Sequence, residues 1–598
     1  MRICIVTTPI RPEATTFPPF GSLAIIQSLR NVGNDCSFYH IDYHRYNHAQ
    51  NCEYFKKNQF DIVGISAVVS TAYNYTKYLS DLIKEINHKT IVIVGGGLVA
   101  SAEILHRKAQ VDYCVAGDGE IIIKNLVEAI KEKKTSDNEL SKILGITYID
   151  SKDKFRFTGY EHPIPAPLLE SPDYSILEDD NSIDHYIGFV GGRAYNPDKN
   201  FSEGKTAVVI VAKGCVARCT FCHRFEKGYR VNPLQKIIDH LKMLKEKYGV
   251  GRISIGDENF GSYKKETMEL AKVLGSMGFV WNVGGIRAHT VDFESLKYWR
   301  KNGCEAVLFG IESGSPRILK VMEKKITLKQ NIQALKDVYE AGLCTVIQLV
   351  IGMPGETEET IEETVDFLLK TIEYYPEPFR NKINYLVSIN YAQSLPGTPL
   401  YEYAREYGYI GKGVDAEEQY LIDISDKDAY DNDHFINFTK QPLLKVYSWR
   451  YLINWKVWRQ HAKVNLKINL PKIKILFGLF IMFINRILKT KISSSLENEF
   501  NKYKYNKTKN SYYQFQASLR MIDVIRLLIP WNKFTYPFLA ILIAYKESKN
   551  AKWFFKIIIE HIIWSFKKFD SSNLPKETLR KIVNVKDKDE TLELRKGR

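Results

Sequence analysis

The chain has 598 residues, of which 45% are hydrophobic and 26% charged, a composition typical of folded proteins rather than disordered ones. This length exceeds what one hydrophobic core supports and predicts about three domains. Nine cysteines, an odd number with three clustered, exclude a disulfide scaffold. The first ten residues lack the long apolar stretch of a signal peptide, so we expect a cytoplasmic protein.

The net charge of +15 is concentrated at the C-terminal end of the chain. From Lys440 onward there are 33 Lys and Arg against 11 Asp and Glu, a balance of +22, so the preceding residues carry −7. Attraction to an anionic surface is therefore expected of the C-terminal region and not of the whole molecule.

Residues 1–132 alternate short β-branched runs with helical stretches, the pattern of parallel strands joined by crossover helices. Strands are predicted at Ile3–Thr7, Ser37–Ile41, Ile62–Ser66, Ile91–Val94 and Tyr113–Ala116. Helices are predicted at Gly21–Arg30, Ala72–Ile86 and Glu120–Lys131. We therefore expect an open, Rossmann-like α/β domain. Residues 133–203 lose the pattern and predict a connecting segment with some short strands.

A second strand–helix series occupies residues 204–425. Its strands are predicted at Ala207–Val211, Arg252–Gly256, Val280–Gly284, Ala306–Gly310, Thr345–Gly352 and Ile383–Ile389. Helices are predicted between them, including Leu234–Tyr248 and Lys264–Met277. This repetition predicts a full or partial (β/α) barrel, whose chemistry would lie at the carboxyl ends of its strands.

Residues 440–598 are rich in Ile, Phe, Trp, Tyr and Lys and predict a mainly helical region. Its longest clean apolar run, Ile475–Ile484, has ten residues, whereas a transmembrane helix needs about 20. Ala551–Phe569 predicts an amphipathic helix suited to a bilayer interface, with charges at a spacing of four: Lys552, Lys556 and Glu560. A helical region that packs on the barrel is the alternative.

Three cysteines lie in one loop shortly after the predicted strand Ala207–Val211: Cys215, Cys219 and Cys222. Closely spaced thiolates bind iron–sulfur clusters, and three thiolates for four irons leave one iron open to a chelating ligand. A zinc site completed by His223 is the alternative, because two-residue gaps between cysteines are common in zinc sites. The other six cysteines form no second pair of this kind.

The Cys-x3-Cys-x2-Cys spacing, with Phe221 before the last cysteine, resembles the signature of the radical S-adenosylmethionine (SAM) superfamily. Further segments follow in the expected order: Ser254–Phe260 after the second barrel strand, the GIESGS-like Phe309–Ser315, and the GxPGET-like Gly352–Thr357. The resemblance implies a [4Fe–4S] cluster on the three cysteines, whose open iron binds SAM. An electron from the cluster would cleave SAM to methionine and a 5′-deoxyadenosyl radical.

The same resemblance implies the residues that contact SAM. They are expected to be Phe221, Gly256, Asp257, Glu258, Arg287, Glu312, Ser313 and Pro354. It also implies an electron donor such as flavodoxin or ferredoxin.

The first domain contains four glycine-bearing segments: Pro18–Gly21, Val63–Ser66, Val94–Gly97 and Asp112–Glu120. In these segments it resembles the cobalamin (B12)-binding domain that precedes the radical SAM core in one large subfamily. Glycines at strand ends let the backbone approach a bulky ligand. Cobalamin contacts are expected at Ser66, Gly95, Gly96, Gly97, Gly117 and Gly119. The cobalt-binding Asp-x-His-x-x-Gly motif is absent, since the Asp42–His44 segment lacks the glycine, so His44 is expected to be a surface loop residue. A domain that keeps the fold without the cofactor is the alternative.

Together these resemblances imply a cobalamin-dependent methyltransferase acting on an unactivated carbon. The radical would abstract a hydrogen from the substrate, methylcobalamin would supply the methyl group, and a second SAM would remethylate the cobalamin. An oxidative cyclase or rearrangement enzyme without methyl transfer is one alternative. An RNA-modifying radical SAM enzyme and a non-catalytic cobalamin sensor are the others.

The C-terminal region bears on the partners. It is too apolar, in runs such as Phe538–Tyr545, to bind only phosphates, which argues against nucleic acid. Its positive charge and aromatic residues favour peripheral contact of residues 440–598 with the inner face of the cytoplasmic membrane. A small-molecule substrate, of hydrophobic or lipid character, would suit that location.

Overall fold

The computed structural model describes residues 1–188 except 12, then 205–223, 228–374, 387–427, 435–465, 531–566 except 549, and 574–584. Within these residues the chain forms an N-terminal α/β domain, a half-barrel and a group of C-terminal helices, as the sequence predicts. The predicted strand Ile383–Ile389 lies partly outside the described residues, and the apolar run Ile475–Ile484 lies wholly outside them.

The N-terminal domain is built on a seven-stranded sheet. In chain order its strands are β1 Arg2–Thr7, β2 Asp35–His40, β3 Ile62–Ser66, β4 Ile91–Gly95, β5 Tyr113–Val115, β6 Ile146–Ile149 and β7 Phe155–Phe157. In space they follow the order β2-β1-β3-β4-β5-β6-β7, with β1 to β5 parallel. The order reverses between β1 and β3, where the carboxyl ends of parallel strands leave a crevice for a ligand.

The helices of this part of the chain connect the strands and cover the sheet. They are α1 Phe20–Arg30, α2 Ile41–His44, α3 His48–Asn58, α4 Tyr73–Ile86, α5 Ala102–Lys108, α6 Gly119–Lys131, α7 Asp137–Leu140, α8 Ser175–Asp179 and α9 Ile183–Tyr186. The five strands and three helices predicted for this domain are present, with ends shifted by one or two residues.

The structure differs from expectation at the domain boundary. The predicted connecting segment supplies β6 and β7, which pair antiparallel with β5 and with each other and so extend the sheet of residues 1–132. The added strands cover the edge of β5, whose backbone groups would otherwise be unpaired.

The half-barrel consists of six parallel strands in the order β15-β14-β13-β12-β11-β8. They are β8 Lys205–Val209, β11 Val250–Ile255, β12 Val280–Ile286, β13 Cys304–Glu312, β14 Ile347–Ile351 and β15 Val387–Tyr391. A short antiparallel pair, β9 Ala212–Lys213 and β10 Arg230–Val231, closes the base of the cysteine loop. The predicted SAM-site segments follow five of these strands, β8 and β11 to β14, and therefore lie on one side of the sheet.

Eight helices of the described half-barrel follow or separate these strands. They are α10 Leu234–Tyr248, α11 Lys264–Ser276, α12 Phe293–Lys301, α13 Pro316–Val321, α14 Leu328–Glu340, α15 Glu358–Ile372, α16 Pro399–Glu406 and α17 Val414–Ile424. Helix α15 begins with a capping box, in which Thr357 accepts from the Thr360 backbone N–H. This cap fixes where the GxPGET-like turn ends.

The C-terminal region is helical where it is described: α18 Leu443–Asn465, α19 Tyr536–Glu547, α20 Ala551–Ser565 and α21 Leu579–Ile582. Helix α18 packs on α15, and Lys456 Nζ lies 2.7 Å from Glu362 Oε1. Helix α18 thus packs on the barrel, which is the alternative that the sequence analysis set against membrane contact. No described helix is both long and apolar enough to cross a bilayer.

Truncating Trp449, which is fully buried on α18, tests whether the C-terminal helices are an integral part of the fold. We expect Trp449→Ala to cost about 3–5 kcal/mol of local stability, because it leaves a large cavity. Limited proteolysis should then cleave near α18 faster than in the wild type. The exposed Tyr407→Ala variant is the matched control, and equal cleavage of all three proteins would contradict the prediction.

Candidate active site

The three cysteines lie between β9 and β10. Cys219 is buried, Cys215 is half-buried and Cys222 is exposed. The thiols of Cys219 and Cys222 are hydrogen-bonded, which lowers the pKa of Cys219 to about 6 and raises that of Cys222. Among the described residues no three Cys, His, Asp or Glu side chains already surround a metal position, so the cysteine ligand set stays a prediction.

The cysteine loop is anchored to the turn that follows α13. Thr220 donates its backbone N–H to Met322 O at 2.9 Å and its hydroxyl to Val321 O at 3.1 Å. The turn contains two non-glycine residues with positive φ, Glu323 at 53° and Lys325 at 51°. Such backbone conformations persist only where surrounding contacts impose them. The turn therefore has a fixed shape beside the cysteines.

That turn presents Lys324 to the cysteines. Its side chain is buried and its Nζ lies 2.8 Å from Glu312 Oε1. Burial opposes the charge of Lys324, but Glu312 and the thiols of Cys219 and Cys222 outweigh it and raise the lysine pKa. Glu312 itself has a positive φ of 66° at the end of β13. A buried cation and a half-buried anion therefore lie side by side next to the cysteine loop.

Gly310 makes room for this ion pair. A Cβ at Gly310 would lie 2.5 Å from Glu312 Oε1 and 3.1 Å from Lys324 Nζ, so any larger residue would displace them. Arg287 lies on the same side, donating from Nη2 to Lys324 O. Its buried Nη1 has no hydrogen-bond partner among the described residues. A buried guanidinium N–H of this kind is available to an anionic group such as a carboxylate.

Asp257, a predicted SAM contact, anchors the start of the cysteine loop. Its Oδ1 accepts backbone N–H bonds from Val211 at 2.8 Å and Ala212 at 3.2 Å, so it ties β11 to the start of the cysteine loop. Its buried Oδ2 has no partner within the described chain. Burial raises the pKa of Asp257 to about 7. The carboxyl group thus positions the loop with one oxygen and leaves the other for a ligand.

The neighbours of Asp257 also border the cysteine loop. Glu258 is exposed and its charge raises the pKa of Cys215, although burial of that thiol raises it more. A Cβ at Gly256 would lie 3.0 Å from both Phe17 and Val208. Gly256 therefore serves close packing against the N-terminal domain.

Ser313 is hydrogen-bonded to helix α15. Its hydroxyl lies 3.3 Å from Thr364 Oγ1 on α15 and accepts the Ser315 backbone N–H at 3.1 Å. In this structure Ser313 positions the end of β13 against α15. A direct SAM contact for it stays a prediction.

The GxPGET-like turn carries Pro354, which is buried, and packs near Phe221. Glu356 Oε2 accepts backbone N–H bonds from Gly352 and Met353, which holds the turn closed. Burial raises the pKa of Glu356 to about 8. Phe221 contacts the same apolar cluster as Met353, so the aromatic ring and the turn border one space.

The predicted cobalamin residues of β3 and β4 lie at the crevice of the N-terminal sheet. A Cβ at Gly95 would meet no atom within 4 Å, whereas one at Gly96 would lie 2.5 Å from Ala67 O. Gly96 has a φ of 93°, which favours glycine. Ser66 ends β3, and its carbonyl accepts the Thr8 hydroxyl at 3.1 Å. Gly95 therefore borders open space, and Gly96 shapes the turn.

The other two predicted glycines have structural roles in this arrangement. Gly117 has a φ of 114°, and a Cβ at Gly119 would lie 2.8 Å from Ile25 on α1. The acidic residues between and after them join the two domains. Asp118 pairs with Arg230, and Glu120 Oε1 lies 2.6 Å from Lys213 Nζ.

The predicted cobalamin edge and the cysteine loop approach each other closely at Gly97. A Cβ at Gly97 would lie 3.4 Å from His223 Cε1, and His223 directly follows Cys222. Ala and larger residues at Gly97 would also clash with Val68 O, at 2.3 Å. The two predicted cofactor sites therefore face each other across one loop.

His44 is not in the loop position that the sequence suggested. It belongs to helix α2, and its Nε2 lies 3.2 Å from Asp180 Oδ1. The ring is held in place by this partner.

The fold and the site define a two-domain cofactor enzyme, with a ligand crevice on a parallel sheet facing a cysteine loop on a half-barrel. Open space at Gly95 suits a bulky planar ligand, and the free Nη1 of Arg287 and Oδ2 of Asp257 suit a zwitterionic one. The residues present thus fit cobalamin, a cluster on the cysteine loop, and SAM.

Comparison with known proteins agrees with this class. Residues 209–368 match the radical SAM superfamily and residues 13–127 match the B12 binding domain. The chain is 30% identical over 428 residues to the uncharacterized methyltransferase PH0819 of Pyrococcus horikoshii, covering 68% of this chain and 83% of that protein. The chain belongs to the radical SAM superfamily, among the members that carry a B12-binding domain.

Other relatives match less of their own length. The anaerobic magnesium-protoporphyrin IX monomethyl ester cyclase of Rubrivivax gelatinosus is 28% identical over 51% of this chain and 53% of that protein. Among solved structures, the cobalamin-dependent SAM radical enzyme OxsB matches 98% of this chain and 78% of its own, with a TM-score of 0.57 at 15% identity. The radical SAM methyltransferase TsrM from Kitasatospora setae matches 68% of this chain and 76% of its own, with a TM-score of 0.51 at 17% identity.

The matched domains establish the cofactors as a [4Fe–4S] cluster, SAM and cobalamin. Radical SAM enzymes also need a reductant such as flavodoxin or ferredoxin. The zinc alternative for the cysteine loop is thereby excluded, and the N-terminal domain is one that binds cobalamin.

Sequence patterns did not single out Lys324 as a site residue. Its place beside the cysteines depends on the positive φ angles of Glu323 and Lys325, which no short motif announces. The sequence indicated Glu356 only as part of the GxPGET-like segment and did not predict that its carboxyl group is buried.

The space at Gly95 can be tested by filling it. Gly95→Ala meets no protein atom and should leave the fold intact, but we expect it to weaken cobalamin binding about tenfold or more. Gly284→Ala, which also meets no atom but lies in the half-barrel, is the matched control. Equilibrium binding of cobalamin to the three proteins checks this, and unchanged affinity in Gly95→Ala would contradict it.

The positive charge of Lys324 should raise the midpoint potential of the cluster. We expect Lys324→Gln to make the cluster's midpoint potential more negative, because a nearby cation favours the reduced, more negative cluster. Lys324→Arg should keep the wild-type potential, and Lys320→Gln on the exposed side of α13 should have no effect. An EPR-monitored redox titration of the wild type and the three variants measures these potentials. Equal midpoint potentials in all four proteins would contradict the placement of the Lys324 charge beside the cluster.

Proposed function

We propose that this enzyme transfers a methyl group to an unactivated carbon of a small-molecule substrate. The close approach of His223 to Gly97 carries the proposal, because it brings the cysteine loop and the cobalamin-binding edge together. When bound, the cluster, SAM and cobalamin supply a carbon-centred radical and a methyl group. The similarity to PH0819 of Pyrococcus horikoshii, which is described as a methyltransferase, supports the same direction.

The chain's own residues would orient the charged groups of SAM. The buried Nη1 of Arg287 can donate to a carboxylate, and Glu312 can accept from an ammonium. Lys324 holds Glu312 in place and adds positive charge beside Cys219. Asp257 positions the first part of the cysteine loop through its bonds to Val211 and Ala212. These roles, like the individual SAM and cobalamin contacts, are proposals.

An oxidative cyclase or rearrangement enzyme is the second candidate, and the similarity to the Rubrivivax gelatinosus cyclase favours it. That similarity covers about half of each chain, and the identity is lower than to PH0819. An RNA-modifying enzyme and a non-catalytic sensor have less support. The three-cysteine loop speaks against a sensor, which has no need for a cluster with an open iron.

We further propose a cytoplasmic enzyme whose residues 440–598 contact the inner face of the membrane peripherally. The balance of +22 in this region supports attraction to anionic lipid. A hydrophobic or lipid substrate would then lie close to the enzyme, and a flavodoxin or ferredoxin would supply the electron from the cytoplasm.

Incubation of the anaerobically reconstituted enzyme with methyl-labelled SAM, a reductant and a cell extract tests the proposal. We expect reductive release of 5′-deoxyadenosine and label in a small-molecule product. Cys219→Ala should lose cluster iron and at least 100-fold in SAM cleavage, on the order expected when a metal site is lost, yet keep cobalamin. Cys52→Ala, outside the site, should behave as the wild type.

The outcomes separate the candidates. A product formed without label would contradict methyl transfer and would favour an oxidative cyclase or a rearrangement enzyme. An intact cluster that cleaves no SAM would favour a sensor.

A further inference from the structure

Helices α19 and α20 form a hairpin whose outer side is apolar. We name this the hairpin face; it consists of ten side chains, each exposing between 39% and 86% of its surface: Phe534, Phe538, Ile541, Leu542, Tyr545, Phe555, Ile559, Ile562, Ile563 and Phe566. The other eleven exposed large apolar side chains of the described residues are scattered over the rest of the chain. A concentration of this kind marks an interaction surface.

The exposed residues recur at helical spacing on both helices. On α19 the steps run from Phe538 to Ile541 to Tyr545, three and then four residues apart. On α20 they run from Phe555 to Ile559 and then through Ile562 to Phe566, at steps of four, three and four. Such spacing places each set on one side of its helix. Each helix of the hairpin therefore carries its exposed apolar side chains along one side.

The hairpin is already packed through its other side. On α19 the residues buried against the rest of the protein are Leu539, Ala540, Ile543 and Ala544. The Trp553 and Tyr447 ring centroids lie 5.9 Å apart, which ties α20 to α18. Asn550 caps α20 by accepting the Trp553 backbone N–H at 2.9 Å. Within the described residues, the hairpin is therefore held to the protein by side chains other than those of the hairpin face.

The charges around the hairpin face are positive. Four exposed lysines lie on the described part of residues 531–566: Lys533, Lys546, Lys552 and Lys556. Glu560 is the exposed carboxylate of this described part, and its Oε1 lies 3.9 Å from Lys556 Nζ. Apolar and aromatic side chains bordered by lysines complement the acyl chains and headgroups of anionic lipid.

The lengths of the helices fit the plane of a bilayer interface. With 12 and 15 residues, α19 and α20 are about 18 and 22 Å long. Both are shorter than the hydrocarbon core of about 30 Å. Helices of this kind lie along the interface with their apolar side in the acyl boundary.

We propose that the hairpin face is the surface by which this protein docks on an anionic lipid bilayer, with α19 and α20 in the interface plane. The proposal rests on the peripheral membrane contact proposed above and names the residues that make it. It is independent of the reaction at the cysteine loop.

Flotation of the full-length holoenzyme with phosphatidylcholine vesicles, with and without phosphatidylglycerol, tests the proposal. A four-site variant replaces side chains that are more than half exposed: Phe538→Ser, Ile541→Ser, Phe555→Ser and Ile559→Ser. The matched control replaces exposed apolar residues elsewhere: Val32→Ser, Leu168→Ser and Tyr407→Ser. We expect the wild type and the control to float with the anionic vesicles, less so at high salt.

The four-site variant should lose at least tenfold in bound fraction while its SAM cleavage stays at the wild-type level. A variant that floats like the wild type would contradict the proposal that the hairpin face is the docking surface. The membrane contact would then lie elsewhere in residues 440–598. A wild type that does not float would overturn both. A wild-type dimer that becomes monomeric in the variant, without flotation, would assign the surface to a second copy of the chain and also overturn the proposal.

Discussion

Thr220 holds the cysteine loop to the turn after α13, and the site depends on this attachment. Its two hydrogen bonds, to Met322 and Val321, set the distance between the cysteines and Lys324. The turn can present Lys324 because Glu323 and Lys325 adopt positive φ, a conformation that costs about 1–3 kcal/mol per residue. That cost is offset by contacts elsewhere, so the loop and the turn form one preorganised unit.

The same loop also joins the two domains. His223 lies close to Gly97, while Asp118 with Arg230 and Glu120 with Lys213 form ion pairs across the interface. Acidic residues of a segment that resembles a cobalamin-binding motif thus hold the half-barrel in register with the N-terminal sheet. Reactions that pass a group between two cofactors need this fixed orientation, because small displacements cost large factors in rate.

Much of the architecture could be predicted, because parallel strands buried on both faces produce plain β-branched runs such as Ile62–Ser66. Strands β6 and β7 were harder to assign, since short antiparallel edge strands carry a weak pattern. Motif order located the site, but it could not show that Ser313 turns towards Thr364 or that Lys324 reaches Glu312. Those orientations depend on single backbone angles and on packing between distant segments.

The central claim is that one chain holds a cluster on the cysteine loop and cobalamin on the facing sheet edge. The most direct measurement is the iron, sulfide and cobalamin content of anaerobically purified, full-length protein. The account predicts about four iron and four sulfide per chain together with about one cobalamin. Stoichiometric zinc in place of iron, or a full cluster with no cobalamin bound after reconstitution, would contradict it.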